Sequence, residues 1–321
     1  MAGFWTEHAS DGTLLTDKGP GETSHGVVKK VKALFRGGAP VKVGHAGTLD
    51  PFATGLLIIL LGQGTKLSQF IMSGEKVYVA TVELGVETDT LDPTGNVLRT
   101  SHVPDMSSEF IQERVERFVG KIRQVPPAYS AIRYKGTRAY KLARSGQDVD
   151  LKAREVVVYS LHILAVDLPQ ITMRIRCSSG TYIRSLAADF GRDLGPGGHL
   201  RSLRRIKSGP FDVRDALPSS EITDKAREGF LSKKVLTNRD ALPDMGEIII
   251  TAALAEKVRH GYQPIWEELI VGPKQQTGIQ PDQYNKWIKL ISDNKLVAIV
   301  KLNLENEISR IKAKLERVFS A

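Results

Sequence analysis

The 321-residue chain is poor in several things that would have named a chemistry at once. It has a single cysteine, Cys177, so no disulfide can form within the chain and a cysteine-rich zinc site is excluded. The longest apolar run, Leu56-Leu57-Ile58-Ile59-Leu60-Leu61, is far too short to span a bilayer. Residues 1–11 hold neither a basic segment nor an apolar one, so no secretory signal is expected there. No repeat and no low-complexity tract is apparent. Acidic residues are in deficit: 36 Asp and Glu face 45 Lys and Arg, a net charge of +9. That excess suits a polyanionic partner, through release of counterions from phosphates. Hydrophobic residues, at 41%, are enough for a sizeable core, and the length allows two domains.

One stretch is dense in special backbone residues: Gly44-His45-Ala46-Gly47-Thr48-Leu49-Asp50-Pro51-Phe52-Ala53-Thr54-Gly55. Three glycines and a proline shape a loop just before the 56–61 run, which reads as a buried strand. Asp50 therefore sits on a stiff loop against the core. By itself that describes an Asx turn as readily as a reactive carboxylate.

Further along, Gly12 to Leu15 reads as a strand. Ser24 is expected to cap a helix whose apolar face is Val27, Val28, Val31, Leu34 and Phe35. Gly64 to Phe70 reads as a short helix, and Lys76 to Leu84 as a central strand apolar on both faces. Ser108 to Lys121 has helical spacing. Residues 133–144 place five cations and two tyrosines in twelve residues, a pattern that suits phosphates and stacked bases and equally a solvated face. Glu155 to Asp167 and Thr172 to Cys177 read as strands. Ser179 to Leu186 turns into a helix with Arg184 in its first turns, and residues 199–209 carry four cations. Residues 218–243 read as connecting helix and linker. Thr251 to Gly261 reads as a short helix and residues 287–300 as a hairpin; Ile308, Ile311, Leu315 and Val318 have helical spacing.

The Gly-His-x-Gly-x-Leu-Asp-Pro-x-Ala-x-Gly stretch resembles the catalytic motif of the TruB family, synthases of the T-loop pseudouridine of tRNA. With it, four more segments stand in the family's order between about residues 11 and 211: residues 17–24 before it and, after it, residues 88–95, Pro127-Ala128-Tyr129-Ser130-Ala131 with Gly136 to Tyr140, and Gly180-Thr181-Tyr182-Ile183-Arg184. Gly19 stands where the family has proline, with Pro20 one step later, so the turn there is expected to differ.

The resemblance implies that Asp50 is the nucleophile, with Arg184 against it. Tyr78 stacks on the extruded base, His45 fills the space that base leaves, and Leu203 lines the uracil pocket beside Tyr182. Lys135, Arg138, Lys141, Arg201, Arg204 and Arg205 are the candidates for RNA-backbone contacts. The implied fold is α+β: a mainly antiparallel catalytic sheet over residues 1–243, then a small β-rich, PUA-like RNA-binding domain over residues 244–321. The expected protein is a cytoplasmic monomer that acts on the T-arm of tRNA with no cofactor, metal or membrane. Two rivals are a guide-RNA-dependent member of the same superfamily and a non-catalytic protein that binds or folds tRNA.

Overall fold

The computed structural model describes residues 10–35, 38–130, 132–227, 231–270, 286–305 and 310–320. The core is an eleven-stranded sheet. Along its main path the strands run Leu217–Pro218, Gly12–Lys18, Thr54–Leu61, Gly198–Ser208, Lys76–Leu84, Gln170–Cys177, Arg154–Asp167 and Gly120–Gln124. Neighbours are antiparallel, except that Gly12–Lys18 pairs parallel with Leu217–Pro218 and Thr54–Leu61 pairs parallel with Gly198–Ser208. The mainly antiparallel, mixed α and β architecture expected from the sequence is therefore present. Lys76–Leu84 is central, bonded on both sides.

The 56–61 run is continuous because both faces of its strand are covered. Leu57, Ile59 and Leu61 pack with Val27, Val31 and Phe190 beneath the Ser24–Ala33 and Ile183–Leu194 helices. Leu56, Ile58 and Leu60 pack the other way, against Ile291 and Ile299 of a second, four-stranded sheet and against Phe319 just after its last strand. That sheet is ordered Glu247–Ile249, Trp287–Ser292, Lys295–Glu305, Arg310–Val318. It keeps its own core with the Ala252–Arg259 helix. Alternation along one strand thus serves two cores.

Three local expectations fail for identifiable reasons. The end of the chain is a strand, Arg310–Val318, not a helix. Ala313 and Leu315 pair with buried Leu302 and Val300, and a bulge brings Val318 opposite Ala298, so a period of two with one slip imitates helical spacing. Ile308 lies outside the described residues. The expected helix over residues 108–121 stops at Glu116; Gly120, at φ 102°, turns the chain into the Gly120–Gln124 strand. The cap of the first helix is Thr23, whose hydroxyl accepts from Gly26 N at 2.8 Å. Ser24 is diverted: its Oγ donates to Leu49 O and accepts from Leu49 N, both at 2.9 Å.

Candidate active site

That diverted serine is one of several clamps on the Asp50 loop. Gly21 N donates to Pro51 O at 2.9 Å, and Ala53 N closes a turn onto Asp50 O at 3.1 Å. The Lys18 ammonium is fully buried and donates to three carbonyls, of Gly19, Glu22 and Pro51. Leu49 and Ala53 anchor the loop in the core on either side of the aspartate. Gly55, at φ 100°, lets the chain pass the strand beside it: a Cβ there would lie 2.3 Å from Arg205 O.

Asp50 faces a cleft of about 1410 Å³, and its side chain keeps 32% exposure. Arg184, only 5% exposed, engages it through two nitrogens: Nε lies 3.0 Å from Oδ2, and Nη2 donates to Oδ1 at 3.3 Å. The rest of the guanidinium is spoken for as well. Nη2 donates to Tyr129 O at 2.9 Å, Nη1 donates to Thr90 O at 3.1 Å, and Nη1 lies 3.4 Å from Asp92 Oδ2. Asp92 is buried, and its Oδ1 accepts from Thr94 N and from the hydroxyls of Thr90 and Thr94. So Arg184 is gripped between two carboxylates, one in the cleft and one fixed in the 88–95 loop. Burial pushes the Asp50 carboxyl above its usual range; Arg184 opposes this and Asp92 adds to it.

Around Asp50 stand the other expected substrate-contact residues. Tyr78, Tyr182 and Leu203 line the cleft with Arg184. Burial raises both phenols, that of Tyr78 and that of Tyr182. His45 lies on the Val43–Ala46 strand rather than in the loop, and the cleft wall does not include it. Its Nδ1 is buried with no hydrogen-bond partner, and burial lowers the imidazole, helped by Arg205 and His25.

The cations expected on the RNA backbone divide three ways. Lys135, Arg138 and Lys141 are exposed on the hairpin of residues 133–138 and the Ala139–Arg144 helix. Arg201 and Arg204 lie on the opposite face of the sheet from Tyr78. Arg201 pairs with Glu83 through Nη1 at 2.5 Å, and Arg204 forms a two-pronged pair with Asp17 at 2.9 and 2.6 Å. Arg205 is a correction. It is 1% exposed, its Nε donates to Leu56 O at 2.7 Å and its Nη2 to Gly47 O at 3.0 Å, so no phosphate can reach it. Strand alternation separates Arg204 from Arg205.

Sequence reading missed Asp92, Lys18 and Lys76, all at or beside the cleft; Tyr140 and Arg144, noted only within the 133–144 segment, line it as well. Asp92 and Lys18 sat in segments noticed only for their turns. Lys76 donates to Met72 O and Gly74 O, and burial lowers its ammonium to about 8. Among the described residues no helix is long and apolar enough to cross a membrane, and no three His, Cys, Asp or Glu side chains are grouped to hold a metal ion.

A buried, pinned guanidinium beside a carboxylate, in a cleft walled by aromatics, suits nucleophilic attack on a flat ring or on the sugar that bears it. Comparison with known proteins agrees. The sequence matches the TruB family pseudouridylate synthase N-terminal domain over residues 32–183 and the tRNA pseudouridylate synthase B C-terminal domain over residues 184–249. A protein of Geobacter sulfurreducens named tRNA pseudouridine synthase B is 40% identical over 289 residues, 90% of this chain and 92% of that one. One of the same name from Geotalea uraniireducens is 39% identical over 97% of this chain and 98% of its own. Among solved structures, a Cbf5-Nop10-Gar1 complex contains a chain that superposes with a TM-score of 0.73 at 24% identity, covering 98% of this chain and 86% of that chain, a likeness of fold.

Proposed function

The chain belongs to the TruB family of pseudouridine synthases, and on that premise we propose that it isomerises the T-loop uridine of tRNA to pseudouridine, with Asp50 as the nucleophile. The observation that carries this is the Asp50–Arg184 pair at 3.0 Å on the cleft floor.

The reaction breaks the N1–C1′ bond and joins C5 to C1′. It adds no atom and transfers no net electron, so it asks for no cofactor. It does ask for an ionised carboxylate in a place that solvent reaches only partly. Arg184 supplies the counter-charge and fixes the direction of both oxygens. A base inside a folded loop must first be extruded, at a cost of a few kcal/mol. Tyr78 then stacks on it, Leu203 and Tyr182 bound the pocket, and His45 takes the vacated place in the loop. Lys135, Arg138 and Lys141 meet backbone phosphates at the cleft mouth, joined by Arg144.

In this reading residues 1–243 form the catalytic domain and residues 244–321 an RNA-binding one. The protein works in the cytoplasm as a single chain without a guide RNA. The test is to incubate recombinant protein with unmodified tRNA transcript and map pseudouridine. One product site in the T-loop, lost when that uridine is replaced, is the expected result. A requirement for an added guide RNA, or binding without conversion, would select one of the rivals.

A further inference from the structure

The start of the Ile183–Leu194 helix is held from outside. Tyr182, the residue before it, makes no capping bond with its own side chain. Gln124 grips it instead. This last residue of the Gly120–Gln124 strand is 2% exposed. Its Oε1 accepts from Tyr182 N at 2.7 Å, and its Nε2 donates to Tyr182 O at 2.9 Å. Two bonds to one residue fix the peptide planes on either side of it. The chain that follows Gln124 runs beside the first helical turn. Ser185 Oγ donates to Val125 O at 2.8 Å, and Arg184 Nη2 donates to Tyr129 O at 2.9 Å. Between those two carbonyls lie Pro126 and Pro127, both buried, whose rings stiffen the span. Residues 124–129 thus brace Tyr182, Arg184 and Ser185. Leu186, Ala187, Phe190 and Leu194 anchor the rest of the helix in the core, so the brace governs the first turn alone.

We propose that Gln124 is a positioning residue for Arg184: it fixes both peptide groups of Tyr182 and, with the Ser185–Val125 bond, clamps the first turn of the helix so that the guanidinium stays aimed at Asp50. This rests on the reading of Asp50 as the nucleophile. Gln124 is not part of the cleft wall, so it acts through the residues it holds and not on the substrate. Arg184 reaches Asp50 through contacts of 3.0 and 3.3 Å, and a planar fork set on two oxygens tolerates little displacement. A misplacement of about 1 Å costs about 10²-fold in rate. A neutral amide suits the task, because it accepts and donates at once where a carboxylate only accepts and an ammonium only donates.

The test is single-turnover conversion at saturating tRNA, followed across pH, for Gln124→Met, which keeps the length of the side chain and makes neither bond. Conversion should fall about 10- to 100-fold while tRNA Kd stays within about threefold. The acid limb should also move to higher pH. Arg184, Asp92 and Lys18 are the charged groups that act on Asp50, and of these Arg184 is the one the brace holds. Loosening it lets burial raise the Asp50 carboxyl further. A fold that is merely less stable would lose activity without moving that limb. A wild-type rate, or a slower rate with the limb unmoved, would overturn the proposal. Should Gln124→Met fail to fold, Ser185→Ala decides, since it cuts the same clamp at a helical position that alanine suits. It should lower conversion about three- to tenfold and move the limb the same way; a wild-type value for either would overturn the proposal. Wild-type enzyme making no pseudouridine would break the functional reading instead. Hydrogen exchange over residues 182–186 would still report on the brace: faster exchange in Gln124→Met supports it, and unchanged exchange overturns it.

Discussion

The cations of the cleft floor and those of residues 133–144 are the same residue types used for opposite ends. On the floor Lys18, Arg184 and Arg205 are buried, and their bonds run to carbonyls and carboxylates. They hold shape and field. On the 133–144 segment Lys135 and Lys141 are exposed, with Lys135 over the Tyr134 ring, and they are free to follow a polyanion. Arg201 and Arg204 form a third set, exposed or half-exposed yet already paired with Glu83 and Asp17 on the far face. Position on the sheet, not residue type, assigns the role.

The harshest way to probe the floor is to remove its carboxylate. Asp50→Asn keeps the shape and loses the nucleophile, so single-turnover conversion should fall by about 10³-fold or more, with tRNA Kd within about threefold. Turnover near wild type would strip Asp50 of its role.

Next in size is Arg184→Met. It leaves Asp50 and Asp92 without their shared counter-charge, so conversion should drop about 10²-fold. Breaking a buried pair also costs about 3–5 kcal/mol of stability, which urea unfolding would read. A variant as stable as wild type would mean that the two carboxylates do not depend on the guanidinium.

The pH dependence sharpens the same point. Burial raises the Asp50 carboxyl, and only the ionised form attacks. Activity should therefore be fully present above that raised value and be lost as pH falls through it, at higher pH than for an ordinary carboxylate. Asp92→Asn removes a neighbouring negative charge and should move the acid limb to lower pH. An acid limb at the ordinary carboxylate position in wild type would contradict the burial effect.

The exposed set should give smaller, salt-sensitive losses. Lys135→Ala and Lys141→Ala should each weaken tRNA binding about three- to tenfold at low salt. Each should also lower the slope of log Kd against log salt by about one unit. Arg204→Ala and Arg201→Ala, on the far face, should change binding by less than about twofold. If the far-face pair proved the stronger, the division of the cations drawn above would collapse.

The sequence alone determined which loop carries the carboxylate, because three glycines and a proline before an unbroken apolar run leave that backbone few alternatives. It also determined the central strand over residues 76–84 and, through ordered segments rather than any single match, the family. Distance along the chain hides the rest. Asp50 meets Arg184 across 134 positions and Arg184 meets Asp92 across 92, and no periodicity records which loop reaches which helix. Arg204 and Arg205 read alike as neighbouring cations, and only the pairing of their strand sent one to Asp17 on the far face and the other into the interior, opposite Tyr78. The final strand shows the same limit: spacing fits helix and sheet alike until a neighbouring strand supplies the hydrogen bonds. Tertiary contact chose among states that local preference left close in energy, because burial of a partnered backbone outweighs the small propensity differences between them.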